Sequence, residues 1–168
     1  MVEESGEVHS PEELIRRYLK RVYGFCRTML RDERDVEDAC QEVFLTVVRQ
    51  KDRLEAIRRP LPWLMKVSRL TCLWIRRKRR PGGPLEDVEI DDPEPGPSLE
   101  QDVNLGRIRE ATERIPERYR AVLAMHYQQG MSQEEIAESM EISPGALRVL
   151  LHRAVGRLRG EVRKPCAR

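Results

Sequence analysis

The sequence predicts an all-α protein of two small helical bundles joined by an acidic, proline-rich linker, with a helix-turn-helix in the C-terminal bundle. Apolar residues recur at helical spacing on both sides of residues 81–103. That segment has five prolines, no lysine or arginine, and few apolar residues. It therefore cannot bury enough apolar surface to fold alone. The 168 residues are 5% aromatic and 36% charged, which leaves each bundle a thin aliphatic core. The predicted domains are 10–80 and 104–164, with the linker at 81–103.

The first predicted helix runs from Ser10 to Leu30. Ser10 and Glu13 have the spacing of a capping box, and Pro11 stands at the first helical position, where its missing N–H costs nothing. The apolar side chains that recur along this helix are Leu14, Tyr18, Val22, Phe25 and Met29. They predict one face that is buried in the bundle.

The second helix is predicted to have Asp35 as its cap and to carry two stripes. One stripe is apolar and suits the core: Val36, Cys40, Val43 and Val47. The other is acidic and is expected to be exposed: Asp38, Gln41, Glu42 and Leu45. An ordered acidic stripe suits docking onto a basic partner, and a plain solvated face is the alternative interpretation.

Pro60 and Pro62 are expected to break the chain before a third helix, from Trp63 to about Arg80. Its inward residues are expected to be Leu64, Val67, Thr71 and Trp74. The helix ends in five consecutive cations, more than the helix dipole requires at a C-terminus. Since residues 57–80 contain no acid, we interpret this helix as a phosphate-facing surface.

Two further helices are expected after the linker. The first carries the stripe Leu105, Ile108, Ala111 and Ile115. The second begins at Pro116 and ends at Gly130, and its apolar residues are Tyr119, Val122, Leu123 and Tyr127.

Residues 131–158 have the pattern of a helix-turn-helix. Two crossed helices would share an apolar seam of Ile136, Met140, Ile142, Leu147 and Leu150, with the small Ala137 at their closest approach. Ser132 with Glu135 forms a second capping box, and Ser143 with Pro144 begins the second helix. Glu141 occupies the turn position where glycine is usual, because the backbone there tends to be left-handed. The second helix projects Arg148, His152 and Arg153 at a spacing suited to the major groove of duplex DNA.

The remaining chemistry-bearing residues favour no catalytic or metal site. Cys26, Cys40 and Cys72 fit the role of small core residues in a reducing cytosol, and Cys166 is expected to be an exposed thiol. No Cys-x-x-Cys pair occurs, and His9, His126 and His152 lie far apart in sequence. We therefore expect no cofactor, no metal and no enzymatic activity.

The protein is expected to be cytoplasmic, without stable membrane insertion. The N-terminus is acidic and lacks an apolar stretch, so no signal peptide is predicted. The longest uncharged apolar run, 70–75, is far too short to span a bilayer.

Three stretches, taken together and in this order, resemble the extracytoplasmic-function (ECF) group of bacterial RNA polymerase sigma factors. DVEDACQEVFL (35–45) is similar to that group's polymerase-binding helix, and PWLMKVSRLTCLWIRRKRR (62–80) is similar to its promoter-melting and −10 helix. Residues 115–143 with 151–159 are similar to its C-terminal −35-binding domain. The resemblance implies core RNA polymerase and promoter DNA as partners, and commonly an anti-sigma factor.

The resemblance also implies roles for particular residues. Core polymerase would be bound through Asp38, Gln41, Glu42 and Leu45. The −35 element would be contacted by Arg148, His152, Arg153 and Arg157. The opened −10 region would be held by Trp63, Lys66, Arg69, Arg76, Arg77, Arg79 and Arg80.

The chain departs from the family at several of these sites. Where the family has an asparagine and an aspartate in the third helix, this sequence has Leu70 and, depending on alignment, Leu73 or Trp74. The family's usual threonine, serine and arginine in the recognition helix fall on Ala146, Val149 and Leu150.

Two other functions compete with this one. A stand-alone helix-turn-helix regulator would dimerise on a palindrome without polymerase, but it leaves the acidic stripe unexplained. An adaptor that never touches DNA would not need segregated basic surfaces.

Overall fold

The structure is a computed structural model that describes residues 10–79 and 105–164. In these ranges all regular secondary structure is helical, in two compact units. The first unit contains α1 (Pro11–Met29), α2 (Glu33–Arg49), a 3₁₀ turn (Lys51–Ala56) and α3 (Pro60–Arg79). The second contains α4 (Leu105–Arg114), α5 (Glu117–Leu123), a π-helical segment (Ala124–Gln128), most of α6 (Gln133–Met140) and α7 (Pro144–Arg163). The all-α prediction with two helical units is confirmed, and the predicted linker lies outside the described residues.

Helix α1 begins as the sequence predicts. The Glu13 N–H donates to Ser10 Oγ at 3.2 Å, and the Ser10 N–H donates to Glu13 Oε2 at 3.3 Å, which completes the capping box. The predicted apolar stripe is buried along its whole length. Helix α1 ends at Met29, and Leu30 is already extended.

Helix α2 begins earlier than predicted, because its cap is Asp32. The Arg34 N–H donates to Asp32 Oδ1 at 2.9 Å, so the prediction that Asp35 caps this helix is wrong. Asp35 lies in the first turn and is buried, and its Oδ1 is 2.6 Å from Arg79 Nη2 at the end of α3. Its carboxylate therefore joins two helices. The predicted core stripe of Val36, Cys40, Val43 and Val47 is confirmed.

Helix α3 begins at Pro60 rather than Trp63. Pro60 and Pro62 lie in its first turn, where no intrahelical N–H bond is lost, so they start the helix instead of breaking the chain before it. Beyond its first turn, the buried residues of α3 are Leu64, Met65, Ser68, Cys72 and Ile75.

The phase predicted for α3 is therefore only partly right. Leu64 is buried as expected, and Val67 and Thr71 are half-buried at the edge of the core. Trp74 was expected inward and is 57% exposed. Ser68 can be buried in the core because its hydroxyl donates to the Leu64 carbonyl at 2.7 Å. Since serine is polar, the apolar pattern of the sequence does not assign it to the buried face of α3.

Three thiols lie in the core formed by α1, α2 and α3. Cys26, Cys40 and Cys72 come from one helix each and are buried, which confirms their prediction as core residues. A hydrogen bond with Cys26 and burial raise the pKa of the Cys40 thiol far above its usual range. The hydrogen bond with Cys40 lowers the pKa of Cys26, but the hydrogen bond with Cys72 and burial raise it more. Both groups are therefore neutral thiols at physiological pH.

A buried arginine closes the end of α4 in the second unit. Arg120 Nε donates to the Thr112 carbonyl at 2.9 Å, and Nη2 donates to the carbonyls of Glu113 at 2.9 Å and Ile115 at 3.1 Å. The last carbonyls of a helix have no partner within the helix, so this guanidinium satisfies groups that would otherwise be buried without one. Helices α4 and α5 both pack on α7.

The helix that follows Pro116 changes its pitch before it ends. Helix α5 continues into a π-helical segment, Ala124–Gln128, which closes with a hydrogen bond from the Gln129 N–H to the Ala124 carbonyl at 2.9 Å. The wider turn shifts the helical phase, so Tyr127 is exposed and its predicted place in the apolar stripe is wrong. Gly130 ends the segment with a positive φ of 62°, as predicted.

The bridge between Arg79 and Asp35 is expected to contribute measurably to stability. Arg79→Met leaves a buried carboxylate without this partner and is expected to lower the free energy of unfolding by about 1–3 kcal/mol. Urea denaturation of the full chain measures this change, and Arg49→Met is the matched control. Because Arg49 and Glu42 are both about half exposed, that control is expected to cost less than about 1 kcal/mol. Equal losses in the two variants, or no recovery when Asp35→Asn is added to Arg79→Met, would contradict the assignment.

Candidate nucleic-acid interface and docking surface

The predicted helix-turn-helix is present as α6, a short turn and α7. The Ser132 N–H donates to Glu135 Oε2 at 2.7 Å, the Glu135 N–H donates to Ser132 Oγ at 3.2 Å, and α7 is capped by Ser143 Oγ, which accepts from the Ala146 N–H at 3.1 Å. Glu141 has a φ of 55°, so the turn is left-handed at a residue with a side chain, as expected. This conformation costs roughly 1 kcal/mol relative to glycine.

The buried residues of α7 decide which of its side chains face outward. Leu147, Leu150 and Ala154 are buried. Gly145, Arg148, Val149 and His152 therefore share the opposite face, at i, i+3, i+4 and i+7, and all four are exposed. This face offers a guanidinium, an imidazole and an aliphatic side chain near the start of the helix, where a recognition helix meets base edges.

The other two cations predicted for this interface are less exposed than Arg148 and His152. Arg153 and Arg157 are half-buried. Arg157 Nε lies 4.0 Å from Oε1 of the buried Glu161, which also binds Lys164 Nζ at 2.7 Å. Arg157 therefore interacts within its own helix. Val149 was not among the predicted site residues, although its spacing from Arg148 and His152 could have identified it.

Helix α3 presents the second cationic surface. Arg77 and Lys78 are exposed, whereas Trp63, Lys66, Arg69 and Arg76 are half-buried. Arg79 is about half exposed and makes the ion pair with Asp35. The exposed Trp74 lies beside these cations, and Lys78 Nζ is 5.1 Å from the centroid of its ring. Arg80 lies outside the described residues.

Helix α2 presents an acidic surface, opposite in charge to that of α3. Asp38, Gln41 and Leu45 are exposed, and the half-buried Glu42 accepts a hydrogen bond from Arg49 Nη1 at 2.9 Å. Leu45 is 47% exposed and Val48, three residues later, is 46% exposed. The sequence prediction did not include Val48, and its i+3 spacing from Leu45 was the available signal. The result is an apolar pair bordered by carboxylates, which suits a protein partner with a basic rim.

The described residues contain no group of three or more His, Cys, Asp or Glu side chains arranged to bind a metal ion. Across 10–79 and 105–164, no helix has both the length and the apolar character of a transmembrane span.

Comparison with known proteins identifies two family domains in the chain. Residues 14–81 match the model of sigma-70 region 2, and residues 105–158 match the model of sigma-70 region 4. The sequence is 31% identical to the RNA polymerase sigma factor CarQ of Myxococcus xanthus, over 94% of this chain and 93% of CarQ. It is 33% identical to the ECF RNA polymerase sigma factor SigF of Caulobacter vibrioides, over 83% of this chain and 78% of SigF.

The fold is similar to that of a solved sigma factor. RpoE from Bartonella quintana, in a co-crystal structure with the anti-sigma factor NepR, superposes with a TM-score of 0.68. The match covers 89% of this chain and 94% of RpoE at 20% sequence identity.

Proposed function

This chain belongs to the ECF group of RNA polymerase sigma factors, and we propose how its three surfaces divide the work of promoter-specific initiation. As a sigma factor it binds core polymerase and directs transcription initiation at promoters. We assign core polymerase binding to the exposed stripe of α2, the opened −10 strand to α3, and the −35 element to the outward face of α7.

Charge separation within the first unit is the observation that carries this proposal. Helix α2 exposes carboxylates around an apolar pair, whereas residues 57–79, which include α3, contain cations and no acid. Phosphates are attracted to the second surface and repelled by the first. A small unit with both surfaces can therefore bind a protein on one helix and DNA on the other.

Base readout on the −35 element is assigned to Arg148, Val149 and His152. A guanidinium in the major groove can donate two hydrogen bonds to guanine, and an aliphatic side chain can contact the methyl group of thymine. Arg153 and Arg157 lie further around the helix and are assigned to phosphate contacts, which position the helix without specifying sequence.

Core polymerase is required because each DNA surface is small. A few phosphate contacts give weak, salt-sensitive affinity with little sequence preference. When one large enzyme holds both units, the second contact forms at a high effective concentration, so two short elements at a fixed spacing act as one specific site.

Two further assignments follow from the family. The structural neighbour RpoE was solved with the anti-sigma factor NepR, and we propose that an anti-sigma protein likewise sequesters this chain. We also propose that it acts in the cytoplasm, associates with the nucleoid when bound to polymerase, and has no catalytic activity of its own.

Run-off transcription tests the proposed function directly. Core polymerase with and without the full chain is presented with a genomic promoter library, and we expect a defined set of transcripts only when the chain is present. The start sites then supply the −35 and −10 elements. Transcripts that are independent of the chain, or specific duplex binding without polymerase, would contradict the proposal and favour a stand-alone regulator.

Leu45→Ala is expected to weaken the affinity of the chain for core polymerase by roughly 5- to 30-fold, because a buried apolar anchor at an interface contributes about 1–2 kcal/mol. Anisotropy of the fluorescently labelled chain, titrated with core enzyme, measures this change. Leu19→Ala is the matched control, since Leu19 is also 47% exposed but lies on α1. Equal affinities of wild type and Leu45→Ala, or equal losses in both variants, would refute the assignment of α2.

Arg148→Ala is expected to relax base preference at one position of the −35 element by about 1–3 kcal/mol, because it removes one direct base contact. Competitive transcription from promoters with each −35 base pair varied measures this preference. Arg109→Ala, which removes an exposed cation from α4, should leave every preference unchanged. A uniform loss at all promoters would instead make Arg148 a phosphate contact.

A further inference from the structure

Helix α1 has a cationic outer face that neither the core nor the acidic stripe of α2 uses. Residues 14–31 include six arginine or lysine residues and no acid. The apolar stripe of this helix is buried, so Arg16, Lys20, Tyr23 and Arg27 lie on the opposite face, at i, i+4, i+7 and i+11. Arg16, Lys20 and Arg27 are exposed, and together they form what we call the α1 cation stripe.

The stability of the fold does not account for the α1 cation stripe. None of its three cations forms an ion pair with another residue that the structure describes, whereas Arg49 pairs with Glu42. Like charges at i and i+4, as at Arg16 and Lys20, destabilise a helix. The three charges therefore oppose folding slightly, and a binding role gives them a use that packing does not.

The side chains around the stripe indicate the chemistry of its ligand. Leu19 is exposed beside it, and Tyr23 is half-buried with its hydroxyl donating to the Glu33 carboxylate. A protein-docking surface needs an apolar centre, such as the pair of Leu45 and Val48 on α2. A row of cations with little apolar surface instead suits the phosphates of DNA, which are bound through charge.

The spacing of the stripe also fits a DNA strand. The rise of an α-helix separates Arg16 from Lys20 by about 6 Å and Arg16 from Arg27 by about 16 Å. A DNA strand carries one phosphate per about 3.4 Å of the duplex axis, so the stripe extends along about five nucleotides.

Helix α1 borders the proposed DNA surface of the first unit. Helix α3 packs against both α1 and α2. On α2, the side chains of Glu37 and Asp38 are exposed, whereas the outer face of α1 is cationic. A strand that is bound on α3 is therefore repelled by α2 and attracted by α1.

We propose that the α1 cation stripe binds backbone phosphates of promoter DNA next to the strand held by α3. This inference rests on the proposed function and adds a second DNA-contacting helix to the first unit. Phosphate contacts carry no sequence information, so the stripe increases affinity at every promoter without changing base preference.

The salt dependence of promoter binding tests the stripe in the intact holoenzyme. Filter binding between about 0.1 and 0.5 M salt measures the affinity for a promoter identified by run-off transcription. Arg16→Gln/Lys20→Gln should make the slope of log affinity against log salt shallower by about 1.8 and lower the affinity roughly 10- to 60-fold at about 0.1 M salt. Arg109→Gln/Arg114→Gln removes two exposed charges from α4, and this matched control should change the affinity by less than about twofold.

The charge on each phosphate supplies the second arm. Uncharged methylphosphonate linkages replace one phosphate at a time across the −10 region and its flanks. With wild-type chain, the linkages that meet the stripe should reduce the affinity. With Arg16→Gln/Lys20→Gln, the same linkages should reduce it little further, because the contact is already lost. Arg16→Lys and Lys20→Arg keep the charge and should retain both the slope and the sensitivity to these linkages.

The outcomes separate this inference from the function on which it rests. If wild-type chain gives no promoter-dependent run-off product, the proposed function fails and the stripe fails with it. If wild-type chain initiates but Arg16→Gln/Lys20→Gln has the slope and affinity of wild type, only the stripe is overturned. Equal losses in the α4 control, or losses that depend on promoter sequence, would also overturn it. If the double variant weakens binding to core polymerase without DNA, α1 docks protein and the inference is likewise wrong.

Discussion

The packing of α3 against α1 and α2 is the interaction on which the first unit depends. Leu64, Met65 and Cys72 are buried by this contact, and their burial fixes the rotation of the helix. Once that rotation is fixed, Trp74, Arg77 and Lys78 must face outward. The helix is strongly cationic at its end, and the ion pair from Arg79 to the buried Asp35 offsets part of the repulsion while attaching the last turn to α2. The same packing turns the acidic side of α2 away from the core.

In the second unit, other residues support the helix-turn-helix. Arg120 satisfies the last carbonyls of α4, the π-helical segment precedes the helix-turn-helix, and Glu141 accepts a left-handed backbone in the turn. The burial of Leu147, Leu150 and Ala154 leaves a short opposite face of α7 exposed. Each unit thus exposes small surfaces, and we propose that such surfaces acquire affinity and sequence preference when polymerase holds them together.

Much of this fold could be predicted from sequence because the deciding interactions are local. The caps at Ser10, Ser132 and Ser143 each involve residues three apart, and each is present as predicted. The wrong predictions have longer-range or geometric causes. The sequence predicts Asp35 as a cap because its partner Arg79 is distant in sequence. It predicts Trp74 inward because Ser68, whose hydroxyl bonds within its own helix, interrupts the apolar pattern. Tyr127 was misplaced because a π turn alters the helical period. The candidate surfaces follow from charge and spacing, and burial adds Val48 and Val149, whose spacing from the predicted residues is also a sequence signal.

We propose that neither unit reads a promoter by itself and that core polymerase makes the pair specific. The most direct test is the affinity of the full chain for a promoter duplex and for a scrambled duplex at physiological salt, with and without core polymerase. Without the enzyme we expect weak binding, with a dissociation constant of roughly 10⁻⁴ to 10⁻⁶ M and no preference between the duplexes. With the enzyme we expect a preference for the promoter of at least about 10³-fold. A comparable preference by the chain alone would contradict the account.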